Sequence, residues 1–181
     1  MNLLEAVWSG GVLIYPADTV WGLGGDARNE ALIHKVLKIK KRPPEKGFIV
    51  LVPDWESLQN IVGPVPASAR EILEKSLRPT TLIYPRFQGL PALAGAPDGS
   101  LAVRLVKRGF VHNLMKVTGV PLLSTSANLS GHPVPRSLDE MDPFLLRQAD
   151  YVVNLHRSNR NIRPSRILKL LPDGNIRVIR D

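Results

Sequence analysis

The sequence contains no cysteine among its 181 residues. Disulfide bonds, thiolate metal sites and a cysteine nucleophile are therefore excluded. Histidine is also scarce, and the four copies are scattered without the spacing of metal ligands, so no metal site is predicted. The chain has neither a Walker loop nor a Gly-x-Gly-x-x-Gly segment, so any ATP site must be built from other residues.

Long apolar runs are missing as well. No stretch approaches the roughly 20 residues that a membrane-spanning helix needs. The first residues carry no basic flank and no long apolar run, so we predict no signal peptide and no membrane contact. The expected class is a cytoplasmic enzyme or binding protein.

The charge balance is basic, because 24 Lys and Arg residues stand against 16 acidic ones, a formal net charge of +8. Such an excess favours anionic partners, either nucleotide phosphates or RNA. A basic surface that only maintains solubility explains the same number. The length and the 44% hydrophobic content predict a single compact domain, residues 1–181.

Hydrophobic periodicity predicts helices and strands interspersed along the chain. Helices are expected at 1–9, 29–41, 55–62, 66–77 and 110–118. Strands are expected at 12–15, 48–52, 81–84, 101–106, 120–125 and 151–155, with a terminal hairpin at 166–171 and 176–179. Glycines 22, 24 and 25 predict tight turns, and residues 137–140 resemble a helix capping box. The pattern predicts an α/β fold with a mixed sheet.

Residues 15–24 form the first candidate site. A strand ends at Pro16, and the following turn presents the carboxylate of Asp18 and the hydroxyl of Thr19 before a glycine-rich stretch. These two side chains are suited to a small polar ligand or a metal-bound phosphate. An ordinary Asx turn explains the same residues.

Residues 40–47 form the second, with Lys40, Arg42 and Lys46 leaving a helix end and entering a proline-stiffened loop. Arginine offers a planar fork to phosphate oxygens, and lysine adds compact charge. A solvated basic helix end is the alternative.

Two further strands carry polar groups. Ser124 and Ser126 occupy alternate positions of one strand and point to the same side, near the place where open α/β sheets bind ligands. Arg104 lies inside an apolar strand, where a buried charge must meet either an anionic ligand or a structural carboxylate. The basic segment 156–166 suits phosphate or RNA contact, or a mobile surface loop.

Taken together and in this order, these segments resemble the YrdC family of threonylcarbamoyl-AMP synthases, in its short single-domain bacterial form. The family's hallmarks are a Pro-Thr-Asp/Glu-Thr/Ala-x-x-Gly-Leu-Gly segment, a Lys-x-Arg-Pro segment and a Ser-Ala-Asn segment. Here they stand as residues 16–24, 40–43 and 126–128. The strand 100–104, the pair 164–165 and a late arginine at 180 are similar too.

The resemblance implies a twisted mixed sheet flanked by helices, with a basic concave cleft. It implies that L-threonine, bicarbonate and ATP, with Mg²⁺ accompanying the phosphates, are joined into threonylcarbamoyl-AMP and pyrophosphate. A partner complex then transfers the threonylcarbamoyl group to tRNA. By position, the implied threonine-binding residues are Thr19, Arg104, Ser124 and Ser165. The implied ATP-binding residues are Lys40, Arg42, Lys46, Thr81, Ser126, Asn128 and Arg180, with Lys40 and Arg42 also catalytic and facing the phosphates.

Two departures from the family pattern stand out. Ala17 replaces the usual threonine, which removes a hydroxyl from the threonine end, and residues 77–79 replace a Pro-Gly-Pro, which brings in the charge of Arg78. We still expect an active enzyme. The alternatives are a non-enzymatic module that binds double-stranded RNA, tRNA or an assembling ribosome through the same basic cleft, and a paralogue that handles a different carbamoyl adenylate.

Overall fold

The structure is a computed structural model that describes residues 1–41, 43, 45, 47–155 and 163–181. The described residues form six α-helices and nine β-strands. The helices are α1 Leu3–Trp8, α2 Glu30–Lys40, α3 Trp55–Val62, α4 Ala67–Lys75, α5 Phe110–Thr118 and α6 Pro143–Gln148. The strands are β1 Leu13–Pro16, β2 Trp21–Asp26, β3 Ile49–Val52, β4 Thr80–Tyr84, β5 Leu101–Leu105, β6 Leu122–Ser126, β7 Tyr151–Val152, β8 Arg166–Leu170 and β9 Ile176–Arg180.

All of these strands belong to one twisted mixed sheet, in the order β7-β1-β2-β6-β3-β5-β4-β8-β9. Three neighbouring pairs run parallel: β1 with β7, β3 with β5, and β4 with β8. The other five pairs run antiparallel. The expected α/β fold with a mixed sheet is confirmed.

Apolar side chains cover both faces of the sheet, because alternate residues of a strand point to opposite sides. On β1, Ile14 joins a large core cluster to which α2, α3 and α4 contribute, whereas Leu13 and Tyr15 join a smaller cluster with α1 and α5. Helices therefore flank the sheet on both sides. The smaller cluster covers only part of its face, and the rest of that face carries the site described below.

Local signals explain where α2 begins and ends. The Asn29 side chain caps its first turn by accepting a hydrogen bond from the Leu32 amide at 3.1 Å. Lys41 ends it in the left-handed conformation, with φ of 49°. The predicted helix at 29–41 is confirmed, and so is the helix at 110–118, which α5 matches at both ends.

The prediction of tight turns at glycines 22, 24 and 25 was wrong, since these residues lie within β2, which pairs with both β1 and β6. A Cβ atom on Gly24 would lie 1.8 Å from the carbonyl oxygen of Leu123, and one on Gly22 would lie 2.6 Å from the ring of Tyr15. Glycine is required here because neighbours pack against the backbone, not because the chain turns.

The predicted capping box at 137–140 was also wrong. No helix begins there; instead, the Glu140 carboxylate accepts a hydrogen bond from the Arg136 amide at 2.8 Å. The nearby helix α6 begins at Pro143, with Asp142 as its cap. Proline is favoured at the first helical position because its missing N–H would have no partner there.

The terminal hairpin is confirmed as β8 and β9. Several predicted elements are shorter than expected, two of them clearly. The helix predicted at 66–77 ends at Lys75, and the strand predicted at 151–155 is limited to the two residues of β7.

Candidate functional site

A cavity of about 400 Å³ opens on the face of the sheet that carries the smaller core cluster. Its floor is a row of residues that lie directly opposite one another on β6, β3, β5 and β4: Ser124, Ile49, Ala102 and Ile83. The residue adjacent to each of them in the chain belongs to the larger core on the other face. The cavity therefore lies on the side of the sheet that the larger core does not occupy.

Arg104 on β5 is the most deeply buried charged group that lines the cavity, at 4% exposed. Its Nη2 atom lies 2.9 Å from Oδ1 of Asp18, in the loop between β1 and β2. Its Nε atom is buried and has no hydrogen-bond partner among the described residues. The sequence predicted that Arg104 would meet either a structural carboxylate or an anionic ligand. In the structure it pairs with the carboxylate of Asp18 and also lines a cavity large enough for a ligand.

A second guanidinium, that of Arg180 at the end of β9, lines the same cavity. Its Nε and Nη2 atoms donate to the carbonyl oxygen of Ser165 at 3.2 and 2.8 Å. Burial lowers the pKa of Arg180 from its ordinary value, and the positive charge of Arg104 lowers it further. Arg104 is buried and Arg180 is exposed, and two like charges that act on each other at one cavity would be stabilised by an anion.

Hydroxyl groups complete this end of the cavity. Ser165 and Thr19 line it and are almost fully buried. The Ser165 hydroxyl shares a hydrogen bond of 2.9 Å with that of Thr81, which is buried behind it. Thr81 also lies opposite Arg104 in the pairing of β4 with β5. Thr81 therefore supports the cavity wall through Ser165 and is not itself part of the lining.

Tyr15 belongs to the smaller core cluster, on the same face of the sheet as the cavity, and is fully buried. Its hydroxyl donates to the carbonyl oxygen of Leu123 at 3.4 Å. Burial raises the pKa of Tyr15 to about 12, although a hydrogen bond with the Ser124 side chain and the charge of Arg104 act in the opposite direction. The phenol is therefore neutral at physiological pH and remains a hydrogen-bond donor.

The exit of β6 forms the opposite end of the site. Ser126 lines the cavity, and its hydroxyl donates to Oδ1 of Asn128 at 2.5 Å. A hydroxyl has one hydrogen, so in this arrangement Ser126 presents its oxygen lone pairs to other groups. Lys40 and Asn128 do not line the cavity; the Lys40 ammonium lies behind the loop that contains both Ser126 and Asn128.

The structure brings most of the predicted site residues together. Six of them line the cavity: Thr19, Arg104, Ser124, Ser126, Ser165 and Arg180. Three more contact a lining residue directly: Lys40, Thr81 and Asn128. Two predicted residues, Arg42 and Lys46, lie outside the described residues, as do residues 156–162 of the basic segment.

Sequence reasoning missed the apolar part of the lining, which includes Ile49, Ile83, Ala102 and Ile167. Strand alternation is a signal that could have found Ala102, which lies two residues before Arg104 and so on the same side of β5. The other apolar residues depend on which strands are neighbours. The order of the strands in the sheet could not be predicted from the sequence.

The charge introduced by the second departure does not reach the cavity. Arg78 forms an ion pair of 2.9 Å with the side chain of Asp181, and it is not among the lining residues. The first departure does lie at the cavity, because Ala17 is one of its lining residues.

A second cavity, of about 350 Å³, lies near the start of α3 and the end of α5. Its two cationic side chains are each paired with a carboxylate: Arg28 with Asp26 at 3.0 Å, and Lys116 with Asp54 at 3.1 Å. None of the predicted site residues that the structure describes lines it.

Within the part of the chain that the structure describes, no helix is long and apolar enough to cross a membrane. The same residues contain no group of three or more His, Cys, Asp or Glu side chains that could hold a metal ion.

Comparison with known proteins shows the family to which this chain is related. The Sua5/YciO/YrdC family model, described as "Telomere recombination", matches residues 5–181. Threonylcarbamoyl-AMP synthase of Xanthomonas axonopodis pv. citri (strain 306) is 40% identical over 154 residues, which cover 83% of this chain and 82% of that protein.

Two solved structures of P. abyssi Sua5 share the fold. The match to the H234A/Y235A form has a TM-score of 0.88 and 21% sequence identity, and it covers 98% of this chain. The match to the form complexed with L-threonine has a TM-score of 0.81 and 22% sequence identity, and it covers 92% of this chain. The match takes in 54% and 49% of those longer chains. Because the family model spans nearly the whole chain and the Xanthomonas protein matches most of it, the chain belongs to the Sua5/YciO/YrdC family.

Proposed function

We propose that this chain is an L-threonylcarbamoyladenylate synthase, which condenses L-threonine, bicarbonate and ATP into threonylcarbamoyl-AMP and pyrophosphate. The name of the relative that is 40% identical supports the reaction. The observation that carries the proposal in this molecule is the convergence of two guanidinium groups, Arg104 and Arg180, with several hydroxyls on one cavity.

L-Threonine fits the end of the cavity that contains Arg104. The P. abyssi Sua5 complex with L-threonine supports this amino acid as the ligand. The Arg104 guanidinium would bind the carboxylate, and the hydroxyls of Thr19, Ser124 and Ser165 would meet the ammonium and hydroxyl groups of threonine. Apolar floor residues would contact its methyl group.

ATP would extend across the cavity from Arg180 to Ser126 at the opposite end. Arg180, together with Arg42 and Lys46, would contact phosphate oxygens. Because Ser126 offers lone pairs, a donor such as a ribose hydroxyl is its best partner on ATP. Asn128 would act beside Ser126, and Thr81 would act through Ser165. Mg²⁺ would arrive with ATP, bound mainly by phosphate oxygens and water.

The chemistry does not require a protein nucleophile. The threonine amine attacks the carbon of bicarbonate, a C–N bond forms, and hydroxide leaves as water with a proton from the amine. An oxygen of the resulting carbamate then attacks the α-phosphorus of ATP. A new P–O bond forms while the bond to pyrophosphate breaks. Such a reaction is accelerated by holding the reactants in line and by cations near the developing charge.

We further propose a cytoplasmic location and a downstream partner, the complex that transfers the threonylcarbamoyl group to tRNA. The adenylate is a reactive mixed anhydride and must be delivered to an acceptor amine. The alternative of a non-enzymatic RNA-binding module rests on the net charge and on the basic segment 156–166, most of which lies outside the described residues.

The deciding experiment measures pyrophosphate release by the purified protein, with L-threonine and bicarbonate omitted in turn, and identifies the product by mass spectrometry. We expect release only when both are present, with serine and glycine as poor substitutes. Arg180→Met should abolish most of the activity. Arg177→Met, which removes an exposed arginine of the same strand, should not. Absence of release alongside tight, steeply salt-dependent RNA binding would instead support the binding module.

A further inference from the structure

Lys40 occupies an unusual position for a lysine at the end of a helix. It is the last residue of α2, where a side chain normally extends into solvent, yet it is only 2% exposed. Exposed Lys38, in the same turn, has the ordinary arrangement. Burying an ammonium group is costly unless its hydrogens are used. The partners of Lys40 therefore indicate its role.

Three acceptors of this ammonium lie at the end of β6 and in the loop that follows it. The Lys40 Nζ atom donates to the carbonyl oxygen of Ser126, to that of Asn128 at 2.6 Å, and to Oδ1 of Asn128 at 3.2 Å. An ammonium has three hydrogens, and this loop offers three acceptors. The backbone takes part as well, since the Lys40 carbonyl accepts from the Ser130 amide at 3.3 Å.

The loop is ordered around these contacts. Oδ1 of Asn128 receives both the Lys40 ammonium and the Ser126 hydroxyl, and Nδ2 of Asn128 donates to the carbonyl oxygen of His132 at 2.6 Å. The Ala127 amide donates to the carbonyl oxygen of Trp21 at 2.8 Å, which ties the loop to β2. The orientation of the Ser126 hydroxyl is therefore set through Asn128.

Only one member of this network reaches the cavity. Ser126 lines it, whereas Lys40 and Asn128 lie behind. For Lys40 to contact a nucleotide directly, its ammonium would have to leave acceptors that are partly or fully removed from water. That exchange would leave carbonyl groups without their donor, at the cost that unsatisfied buried acceptors carry.

We propose that Lys40 is a positioning residue, which fixes the loop 126–128 so that Ser126 faces the ATP subsite, and that it does not touch the nucleotide itself. The proposal rests on the proposed function for the identity of the ligand, but the tether is a property of the protein without ligand. A misplacement of about 1 Å at a reacting centre can cost about 100-fold in rate, so the tether has a measurable consequence.

The test compares Lys40→Met, Ser126→Ala and the double variant in pyrophosphate release, with Lys38→Met as the matched control from the same helix turn. We expect Lys40→Met to lower kcat/KM for ATP about 100-fold and to change the KM for threonine much less. If Lys40 acts through Ser126, the double variant should be no worse than Lys40→Met alone. Multiplied effects of the two single substitutions would mean an independent contact with ATP and would overturn the proposal.

A second measurement uses the protein without ligand. Hydrogen exchange of the amides of residues 127–130 should become faster in Lys40→Met than in Lys38→Met, while exchange in the β8–β9 hairpin should not change. Unchanged exchange in the loop would refute the tether. Asn128→Ala removes one of the three acceptors without altering the helix, so it can replace Lys40→Met if that variant does not fold. The exchange result holds even if the wild-type protein makes no threonylcarbamoyl-AMP, which separates failure of this proposal from failure of the proposed function.

Discussion

Replacement of Arg104 with methionine removes a buried charge from the cavity lining while keeping most of the side-chain volume. The guanidinium pairs with Asp18 at 2.9 Å, and the two side chains are 5% and 25% exposed. Losing one partner of a fully buried pair costs about 3–5 kcal/mol, because the other charge remains buried without compensation. Asp18 keeps some contact with water, and Arg104 is not its sole interaction, so the lower end of that range applies.

A second interaction reduces this cost. The positive charge of Arg104 lowers the pKa of Arg180, which indicates that the two guanidiniums repel each other. Removal of one of them relieves that repulsion. We therefore expect a net loss of about 2 kcal/mol in the free energy of unfolding. For a domain of this size, that corresponds to a decrease of about 4–8 °C in Tm, measured by thermal unfolding without substrates.

The effect on activity should be larger and selective. A charged hydrogen-bonded contact with the threonine carboxylate contributes about 3 kcal/mol, which is about 100-fold in kcat/KM for threonine. The assay varies threonine at saturating ATP and bicarbonate and follows pyrophosphate. Asp18→Asn should reproduce much of the stability loss but keep most of the threonine affinity, since Arg104 remains.

The reasoning would be refuted by Arg104→Met protein that unfolds normally and keeps its kcat/KM for threonine. A defect confined to ATP would also refute it, because Arg104 would then lie in the other subsite. Arg177→Met, also on β9 but outside the cavity lining, serves as the control for the general loss of a positive charge.

Three further predictions concern stability. Burial raises the pKa of Tyr15 from 10.0 to about 12, so its contribution is complete below pH 10 and is lost as the pH rises toward 12. In alkaline unfolding curves the wild type should therefore lose about 3 kcal/mol more than Tyr15→Phe, which keeps the loss due to Tyr84, whose pKa burial also raises. Asp54 caps α3, and the hydrogen bond from the Ser57 amide lowers the pKa of its carboxyl group. In urea unfolding, Asp54→Ala should therefore lose about 1 kcal/mol of stability at pH 7. The difference from wild type should shrink as the pH falls below the ordinary pKa of aspartate, because the carboxyl group of the wild type then becomes protonated. Gly24→Ala would place its Cβ 1.8 Å from the Leu123 carbonyl oxygen, and expression with circular dichroism should show a protein that is unfolded or severely destabilised.

Elements whose signals are local were predictable from the sequence. The boundaries of α2 follow from the Asn29 cap and the prolines beyond its end, and α5 closes at Gly119, which takes the left-handed conformation. The terminal hairpin is likewise defined by a turn that contains Gly174, with φ of 83°. In each case the residues that decide the structure lie within a few positions of the element.

Features that depend on distant partners were not predictable. Gly24 has the same local meaning in a turn and in a crowded strand, and only the position of Leu123, about 100 residues away in the chain, decides between them. The sequence similarly indicated that Arg104 needs an anion, but it did not identify Asp18 as the residue that supplies one.

The site could be anticipated as a set of residues but not as an arrangement. Motif resemblance brought Lys40, Ser126 and Asn128 into one group, and the structure does bring them together. It did not indicate that the lysine lies behind the loop while the serine lines the cavity. That distinction depends on the depth of each side chain, which is a property of the packed sheet.

The position of the cavity follows from the uneven helix cover on one face of the sheet. Along a single row of paired residues, Leu122 on β6 and Leu51 on β3 belong to the apolar cluster under α1 and α5, whereas Arg104 on β5 and Thr81 on β4 continue the row with polar groups. The row changes from apolar to polar beyond the strands that contribute to this cluster. A sheet face without such cover can carry charged groups, provided that they find partners.

Those partners come from the site itself. Arg104 pairs with Asp18, Thr81 shares a hydrogen bond with Ser165, and Arg180 donates to the Ser165 carbonyl. Each contact satisfies a buried polar group, and together they fix the donors of the cavity before any substrate enters. A reaction that needs orientation and charge stabilisation, with no protein nucleophile, benefits most from donors that do not have to reorganise. The same hydrogen bonds that make these polar residues tolerable in the fold therefore also prepare them for threonine and ATP.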